Sequence, residues 1–316
     1  MKRFELRNRT DQLNPDTQCE EIYRILATQE FPWDINQALS FALFRTYAVP
    51  SVGSLLFGTD EFTSRAQKRY DDTGLILDAV LEHGFTSTEG RAGIRRMNQM
   101  HGAYDISNDD MLYVLATFIV TPVRWIDQYG WRKLTANEIE GSTNYYRKLG
   151  RYMGIKQIPT THDDFALFMD TYERTHFAHD AGARAVADST LNLFCTFPPN
   201  NFAPAVAVKH FALALMDDPL LDAFGYRRPT RIERILSIGA LKVRARIIRF
   251  FPPRSTPKYA RDLPNIRSYP NGYQVDQLGT FPKTCPVQHK SVHHETGQHE
   301  TGQHETASDE QRVNTI

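Results

Sequence analysis

Apolar residues recur at the helical period from Cys19 to Phe250, and this periodicity constrains the fold more than any other feature of the sequence. Ile76, Leu77 and Val80, for example, fall on one side of a helix. Few stretches alternate strictly between apolar and polar residues, and no Asn-Gly or Asp-Gly turn joins two β-branched runs. We therefore predict an all-α fold.

Helix-breaking and capping residues divide this pattern into separate helices. Pro50 ends one helix because the residue before a proline avoids helical angles, and Gly84 ends another. Thr135 and Glu138 have the spacing of a capping box. The predicted helices run from Cys19 to Phe31, Asp34 to Val49, Glu61 to Glu82, Thr88 to Tyr104, Ser107 to Trp125, Thr135 to Met153, Thr161 to His176, Pro204 to Leu215 and Thr230 to Phe250.

The chain is long enough for one large core, since 316 residues with 41% hydrophobic content need no second domain. We predict a single large helical domain over residues 19–258, preceded by an N-terminal extension at 1–18. Frequent prolines with little periodicity predict an irregular Pro-rich C-terminal arm at 259–287. A polar His-Glu-Thr-Gly-Gln repeat predicts a disordered tail at 288–316.

Charge and cysteine content argue against several classes of protein. The 37 basic residues balance 37 acidic residues, so no positive field gathers nucleic acid. The wide spacing of Cys19, Cys195 and Cys285 argues against a zinc site or a disulfide framework and favours a cytoplasmic location. No secretory signal peptide is expected at the N-terminus. The most apolar segment, Met111 to Ile126, is shorter than the roughly 20 residues that a transmembrane helix needs. The sequence does not indicate an oligomeric state.

His101 is the residue that the periodicity alone singles out. Ile94 and Met97 share its helix face, so the imidazole is expected to point inward. A buried imidazole must satisfy both ring nitrogens. A core histidine bonded to a carbonyl and a histidine bound to a metal both meet this need, and spacing does not choose between them.

Arg45 and Thr46 form a second candidate site. Thr46 falls on the buried side of its helix, and the adjacent Arg45 offers a fixed cation. These groups suit an anionic propionate or an oxygen-derived ligand. The alternative is an arginine that reaches solvent and a threonine bonded back to its own helix.

A competing metal site would use Glu173, His176 and His179, because Glu-x-x-His is half of a di-iron carboxylate motif. The chain contains no second Glu-x-x-His, which argues against that site. The segment 231–250 mixes apolar and basic residues. It favours an amphipathic helix that covers the core with its basic side in water, and peripheral contact with an anionic membrane is the alternative.

Several ordered motifs together resemble the MpaB-type oxygenases, relatives of rubber oxygenase, the latex-clearing protein. The similarity extends from about Cys19 to Pro257. The motifs that carry it are Phe44-Arg-Thr-Tyr-Ala-Val-Pro-Ser51, Arg95-Arg-Met-Asn-Gln-Met-His101, Ser107-Asn-Asp-Asp-Met-Leu-Tyr113, Pro122-Val-Arg-Trp125, Ala214-Leu-Met-Asp-Asp218 and Pro252-Pro-Arg254.

The resemblance implies an all-helical protein that binds haem b, with His101 as axial ligand of the iron. It also implies an oxygenase that uses dioxygen to cleave a carbon–carbon double bond in a hydrophobic, isoprenoid-like substrate. Arg45 and Thr46 correspond to residues that the family places on the other side of the haem. Glu30 matches an acidic catalytic residue that removes an allylic proton. Arg45 stands where rubber oxygenase has a lysine and, being always protonated, does not ligate iron.

Within this interpretation, an apolar substrate channel is expected from Phe41, Phe44, Phe118 and Trp125. Two alternatives from other classes remain open at this point. One is a haem-binding sensor or carrier without catalysis. The other is a helical lipid-associating protein without a cofactor.

Overall fold

The computed structural model describes residues 2–280, which form fourteen α-helices and contain no β-strand. The helical periodicity therefore predicted the fold class correctly. The helices are α1 (Glu5–Thr10), α2 (Cys19–Ile25), α3 (Pro32–Tyr47), α4 (Pro50–Gly58), α5 (Glu61–Ser64), α6 (Ala66–His83), α7 (Thr88–His101), α8 (Asn108–Tyr129), α9 (Ala136–Tyr152), α10 (His162–His176), α11 (Ala181–Phe194), α12 (Ala205–Ala214), α13 (Asp218–Phe224) and α14 (Arg231–Ile248).

Helix α8 is the central element of the core. It packs against α3, α9, α10 and α14. The Ser107 hydroxyl caps it by accepting a hydrogen bond from the Asp110 backbone N–H, at 3.0 Å. The helix continues through Pro122 despite the missing N–H donor, and Pro122 itself is buried. The apolar segment from Met111 to Ile126 is therefore a buried core helix.

Two predicted helix boundaries differ from the structure. Pro50 ends α3 as expected, but it also opens α4, because the fixed angle of proline suits the first position of a helix. The predicted helix from Glu61 to Glu82 is divided at Arg65 into α5 and α6. Gly84 then ends α6 with φ +81°, a conformation that favours glycine.

After α14 the chain becomes irregular, as its prolines predicted. The short 3₁₀ turn Ala260–Asp262 packs on α6. The second turn, Val275–Gln277, packs on both α6 and α7. Arg96 is buried beneath this arm, and its guanidinium donates a hydrogen bond to the Thr280 carbonyl at 2.8 Å. The predicted tail at 288–316, the end of the arm and Cys285 lie outside the described residues.

No single helix within residues 2–280 is both long and apolar enough to cross a membrane. In the part of the chain that the structure describes, α3 and α4 taken together have the required length and composition, and a 97° bend separates them.

Candidate functional site

His101 occupies the last position of α7 and has an unsatisfied ring nitrogen. Its Nδ1 is buried and has no hydrogen-bond partner. Most buried polar atoms in proteins have such a partner. An imidazole nitrogen in this state is available to a ligand, which makes His101 the first candidate of the site.

Burial lowers the pKa of His101 to about 4, and the nearby Arg69 guanidinium contributes to this shift. The ring is therefore neutral near pH 7, which is the form that ligates a metal. Arg69 lies on α6, donates a hydrogen bond to the Thr73 hydroxyl and stacks over the Phe62 ring, 5.3 Å from its centroid. Sequence spacing contains no signal that the Arg69 charge acts on the His101 ring, because this effect depends on how α6 packs on α7.

Two adjoining clefts of about 110 and 70 Å³ run between α3, α6 and the C-terminal arm. Their shared walls are largely apolar. The lining common to both clefts is Asn36, Leu39, Gly74, Leu77, Ala260 and Leu263. Thr73 and Tyr70 line the second cleft, so this cleft reaches the hydrogen-bond partner of Arg69.

The structure does not bring together the four aromatic residues expected to line a substrate channel. Phe118 lines the second cleft. Phe41, Phe44 and Trp125 instead pack together in the core, where Phe41 stacks on Trp125 with 5.4 Å between ring centroids. Periodicity identified these residues as buried, but it did not distinguish the wall of a cleft from the packed core.

Asp78 is a titratable group in the first cleft that the sequence analysis missed. It is buried, and its Oδ2 has no hydrogen-bond partner. Burial raises its pKa to about 7, against the opposing effects of Ala260 and Arg261. A signal was present in the sequence, because Asp78 interrupts the apolar run from Leu75 to Val80.

Replacing Asp78 by asparagine tests this assignment. The raised pKa means that the folded protein binds more protons than the unfolded chain between about pH 4 and pH 7, so stability falls as pH rises through that window. We expect Asp78→Asn to gain roughly 2–3 kcal/mol more unfolding free energy at pH 8 than at pH 5. Urea unfolding at both pH values measures this gain, with the solvent-exposed Asp163→Asn as control. Equal gains at both pH values would show an ordinary pKa at Asp78.

Arg45 is held in an internal ion-pair network. Its Nε donates to Glu173 Oε1 at 2.7 Å and its Nη1 to Asp217 Oδ2 at 2.7 Å. Burial alone would lower the pKa of Arg45, but the two carboxylates raise it above its ordinary value. The Tyr113 hydroxyl also donates to Glu173, at 3.1 Å. The Arg45 guanidinium is therefore paired with carboxylates of the protein itself.

Thr46 is buried, and its hydroxyl donates a hydrogen bond to the Leu43 carbonyl at 2.8 Å. This is the contact with its own helix that the sequence left open as the alternative. Glu30 ends a π-helical turn, Leu26–Glu30, directly before α3. A helix of 16 residues is about 24 Å long, so Glu30 and Thr46 lie at opposite ends of α3. The structure does not bring Glu30 together with Arg45 and Thr46.

The Glu30 carboxylate instead faces Arg132, with 3.2 Å between Oε1 and the guanidinium. Arg132 also pairs with the buried Glu138, whose side chain caps α9 through the Thr135 backbone N–H. Burial raises the pKa of Glu30, and Arg132 opposes this shift. Its Oε2 is buried and has no hydrogen-bond partner.

The residues of the competing di-iron site are engaged elsewhere. Glu173 binds Arg45, and His176 stacks on Tyr172 with 3.9 Å between ring centroids. His179 shares a hydrogen bond with the Ala223 carbonyl at 3.2 Å. Across residues 2–280, no group of three His, Cys, Asp or Glu side chains is arranged to hold a metal ion.

The sequence is similar to a family of known oxygenases. A family model described as "ER-bound oxygenase mpaB/B'/Rubber oxygenase, catalytic domain" matches residues 37–250. The ER-bound oxygenase mpaB' of Penicillium brevicompactum is 28% identical over 258 residues, which cover 76% of this chain and 60% of that protein. The ER-bound oxygenase mpaB of Penicillium roqueforti is 30% identical over 229 residues, which cover 67% of this chain and 76% of that protein.

The ER-bound oxygenase mpaB of Penicillium brevicompactum is 34% identical over 146 residues, which cover 44% of this chain and 37% of that protein. The chain thus matches less than two thirds of the length of both Penicillium brevicompactum relatives. The family match contains Arg45, Thr46 and His101, whereas Glu30 precedes it. Because the match covers most of the chain, this protein belongs to the family of MpaB and rubber oxygenases.

Proposed function

We propose that this chain is a haem-b-dependent oxygenase that acts on a hydrophobic, unsaturated substrate. The observation that carries the proposal is the buried, unpartnered Nδ1 of His101, in a chain whose family consists of oxygenases. Haem b, when bound, supplies the dioxygen chemistry, as cofactors in general supply reactivity that side chains lack.

The chemistry of the His101 side chain fits this cofactor, and His101 lines neither of the two clefts. A neutral imidazole with a buried, unpartnered nitrogen has the chemistry of an iron ligand, so His101 would hold the haem iron. Arg69 lies close enough to act electrostatically on His101, and its cation would neutralise a haem propionate. We assign the neutralisation of a propionate to Arg69 because Arg45 already pairs with Glu173 and Asp217. The roles that the resemblance implies for Thr46 and Glu30 stay predictions.

We assign the two clefts to the substrate. Each is smaller than the roughly 300–1,000 Å³ typical of pockets for drug-sized ligands, so they suit a slender chain better than a macrocycle. Leu39, Leu77 and Leu263 line both clefts and would exclude water from an isoprenoid-like chain. Asp78 would give a polar end of the substrate a hydrogen-bond partner.

The proposed reaction is oxidative cleavage of a carbon–carbon double bond. The two oxygen atoms of dioxygen end in the two carbonyl groups that replace the double bond, so the overall reaction balances without an external reductant. The chain's own residues would hold the substrate, keep water out and maintain His101 in its neutral form.

Oxygen uptake by haem-loaded protein tests this proposal. We expect a Soret absorption band after loading, oxygen consumption with squalene and carbonyl products from it. The saturated analogue squalane is the matched control and should give no products, as should squalene under nitrogen. A Soret band without oxygen uptake across a panel of unsaturated terpenoids would indicate a sensor or carrier. The absence of any Soret band would overturn the haem assignment and leave a lipid-associating protein without a cofactor as the remaining alternative.

A further inference from the structure

Helix α14 turns its apolar side outward. Ile232, Ile235 and Leu236 are 70%, 68% and 67% exposed, and the helix packs on the protein through Ser237 and Leu241. Helices at the surface of a globular protein ordinarily bury their apolar side. The sequence-based expectation that the apolar side of this segment covers the core is therefore wrong.

The exposed apolar surface continues beyond these residues. Val243 and Ile247 extend it along α14, and Phe250 and Phe251 extend it past the end of the helix. Helix α12, which packs beside α14, also exposes Val206. Single exposed apolar residues need no explanation, but a contiguous patch marks an interaction surface.

The basic residues in and directly after α14 fall into two groups, one exposed and unpaired and the other paired on the inner side of the helix. Successive residues of a helix are about 100° apart around its axis. On this basis the exposed cations occupy a strip about 60° wide around the axis, and this basic strip runs beside the exposed apolar residues. These cations are Arg231, Lys242, Arg246 and Arg249, and none of them forms an ion pair within residues 2–280. Arg234 and Arg244 lie on the inner side and pair with Asp218 and Asp34. The unpaired positive charge of α14 thus faces outward.

We propose that this surface docks on an anionic lipid bilayer, with α14 parallel to the membrane plane. The docking surface consists of Ile232, Ile235, Leu236, Val243 and Ile247 with the basic strip beside them. Apolar side chains would enter the boundary of the acyl chains while the basic strip meets lipid headgroups. The proposal rests on exposure and charge alone and does not depend on the haem.

Charge complementarity selects the membrane over a second copy of this chain. In a twofold-symmetric pair the same surface patch faces itself. The only acidic residue of α14 is Glu233, which already binds Arg227 and the Thr230 backbone N–H. A self-paired α14 surface would therefore bring two basic strips together without a neutralising acid, whereas anionic headgroups supply the opposite charge.

Cosedimentation of the full chain with vesicles tests the apolar part of this surface. We expect binding to vesicles of phosphatidylcholine and phosphatidylserine, and at least a tenfold loss of binding in Leu236→Glu. Leu167→Glu is the matched control because Leu167 is also 67% exposed but lies on α10. Both variants should melt within a few degrees of the parent protein. Equal vesicle binding by the two variants would overturn the proposal.

The basic strip is tested separately. Each basic residue near an anionic bilayer contributes about fivefold in binding, so Lys242→Gln with Arg246→Gln should weaken binding by roughly 25-fold. Arg151→Gln with Lys133→Gln, both exposed residues outside α14, should leave binding nearly unchanged. Equal binding to vesicles of phosphatidylcholine alone would remove the electrostatic part of the proposal. A dimer in sedimentation velocity that Leu236→Glu dissociates would assign the surface to a second copy instead.

Discussion

Replacing His101 by alanine is expected to abolish the Soret band and the oxygen uptake of haem-loaded protein. The buried Nδ1 of the ring makes no hydrogen bond, so the substitution removes a ligand without breaking a hydrogen bond at that atom. The unloaded variant should therefore keep its helical circular dichroism and nearly its melting temperature. Absorption spectra after haem loading and desalting measure the outcome.

Two controls make this experiment specific. His83→Ala removes an exposed imidazole, 41% exposed, whose Nε2 lies 3.5 Å from Glu82, and should retain the Soret band. Adding imidazole to His101→Ala should restore much of the band, because a free imidazole can occupy the vacated position. An unchanged band in His101→Ala would place the iron ligand at another residue and overturn the assignment of His101.

The second large effect is expected at Arg45. Arg45→Met leaves the buried Glu173 carboxylate without its main partner, and breaking a buried pair in this way costs roughly 3–5 kcal/mol. Arg124→Met is the matched control, because Arg124 also binds a carboxylate with two nitrogens. That pair, with Asp170, is 40% and 47% exposed, so its loss should cost less than about 1 kcal/mol.

Urea unfolding of both variants measures the difference. Combining Arg45→Met with Glu173→Leu should recover most of the stability, since an apolar pair of similar volume replaces a buried ion pair at little cost. A small loss in Arg45→Met together with an altered haem spectrum would contradict the structural role. It would support instead the position beside the haem that the family resemblance implies.

Helix starts were the most predictable part of the structure. Thr135 and Thr230 close capping boxes with Glu138 and Glu233, and Thr161 caps α10 through the Asp164 N–H. These contacts span three residues, so their partners are visible in the sequence. Helices α11 and α13 were not predicted, although Asp180 and Asp217 cap them with the same local contact.

The candidate site was less predictable because its contacts join distant segments. Arg45 meets Glu173 on α10 and Asp217, and nothing in the spacing of these residues indicates the pairing. His101 was identifiable because its inward orientation follows from the period of its own helix. Arg69 was not, because its electrostatic effect on His101 follows from the packing of α6 on α7.

The sequence by itself determined the all-α fold, most helix starts and the family motif that contains His101, because periodicity, caps and motifs act over a few residues. Only the tertiary structure decided that Arg45 is paired internally, that Asp78 opens into a cleft and that α14 exposes its apolar side. The physical reason is that burial depends on which helices pack against each other. A helix shows from its sequence which side is apolar, but not whether the rest of the protein covers that side.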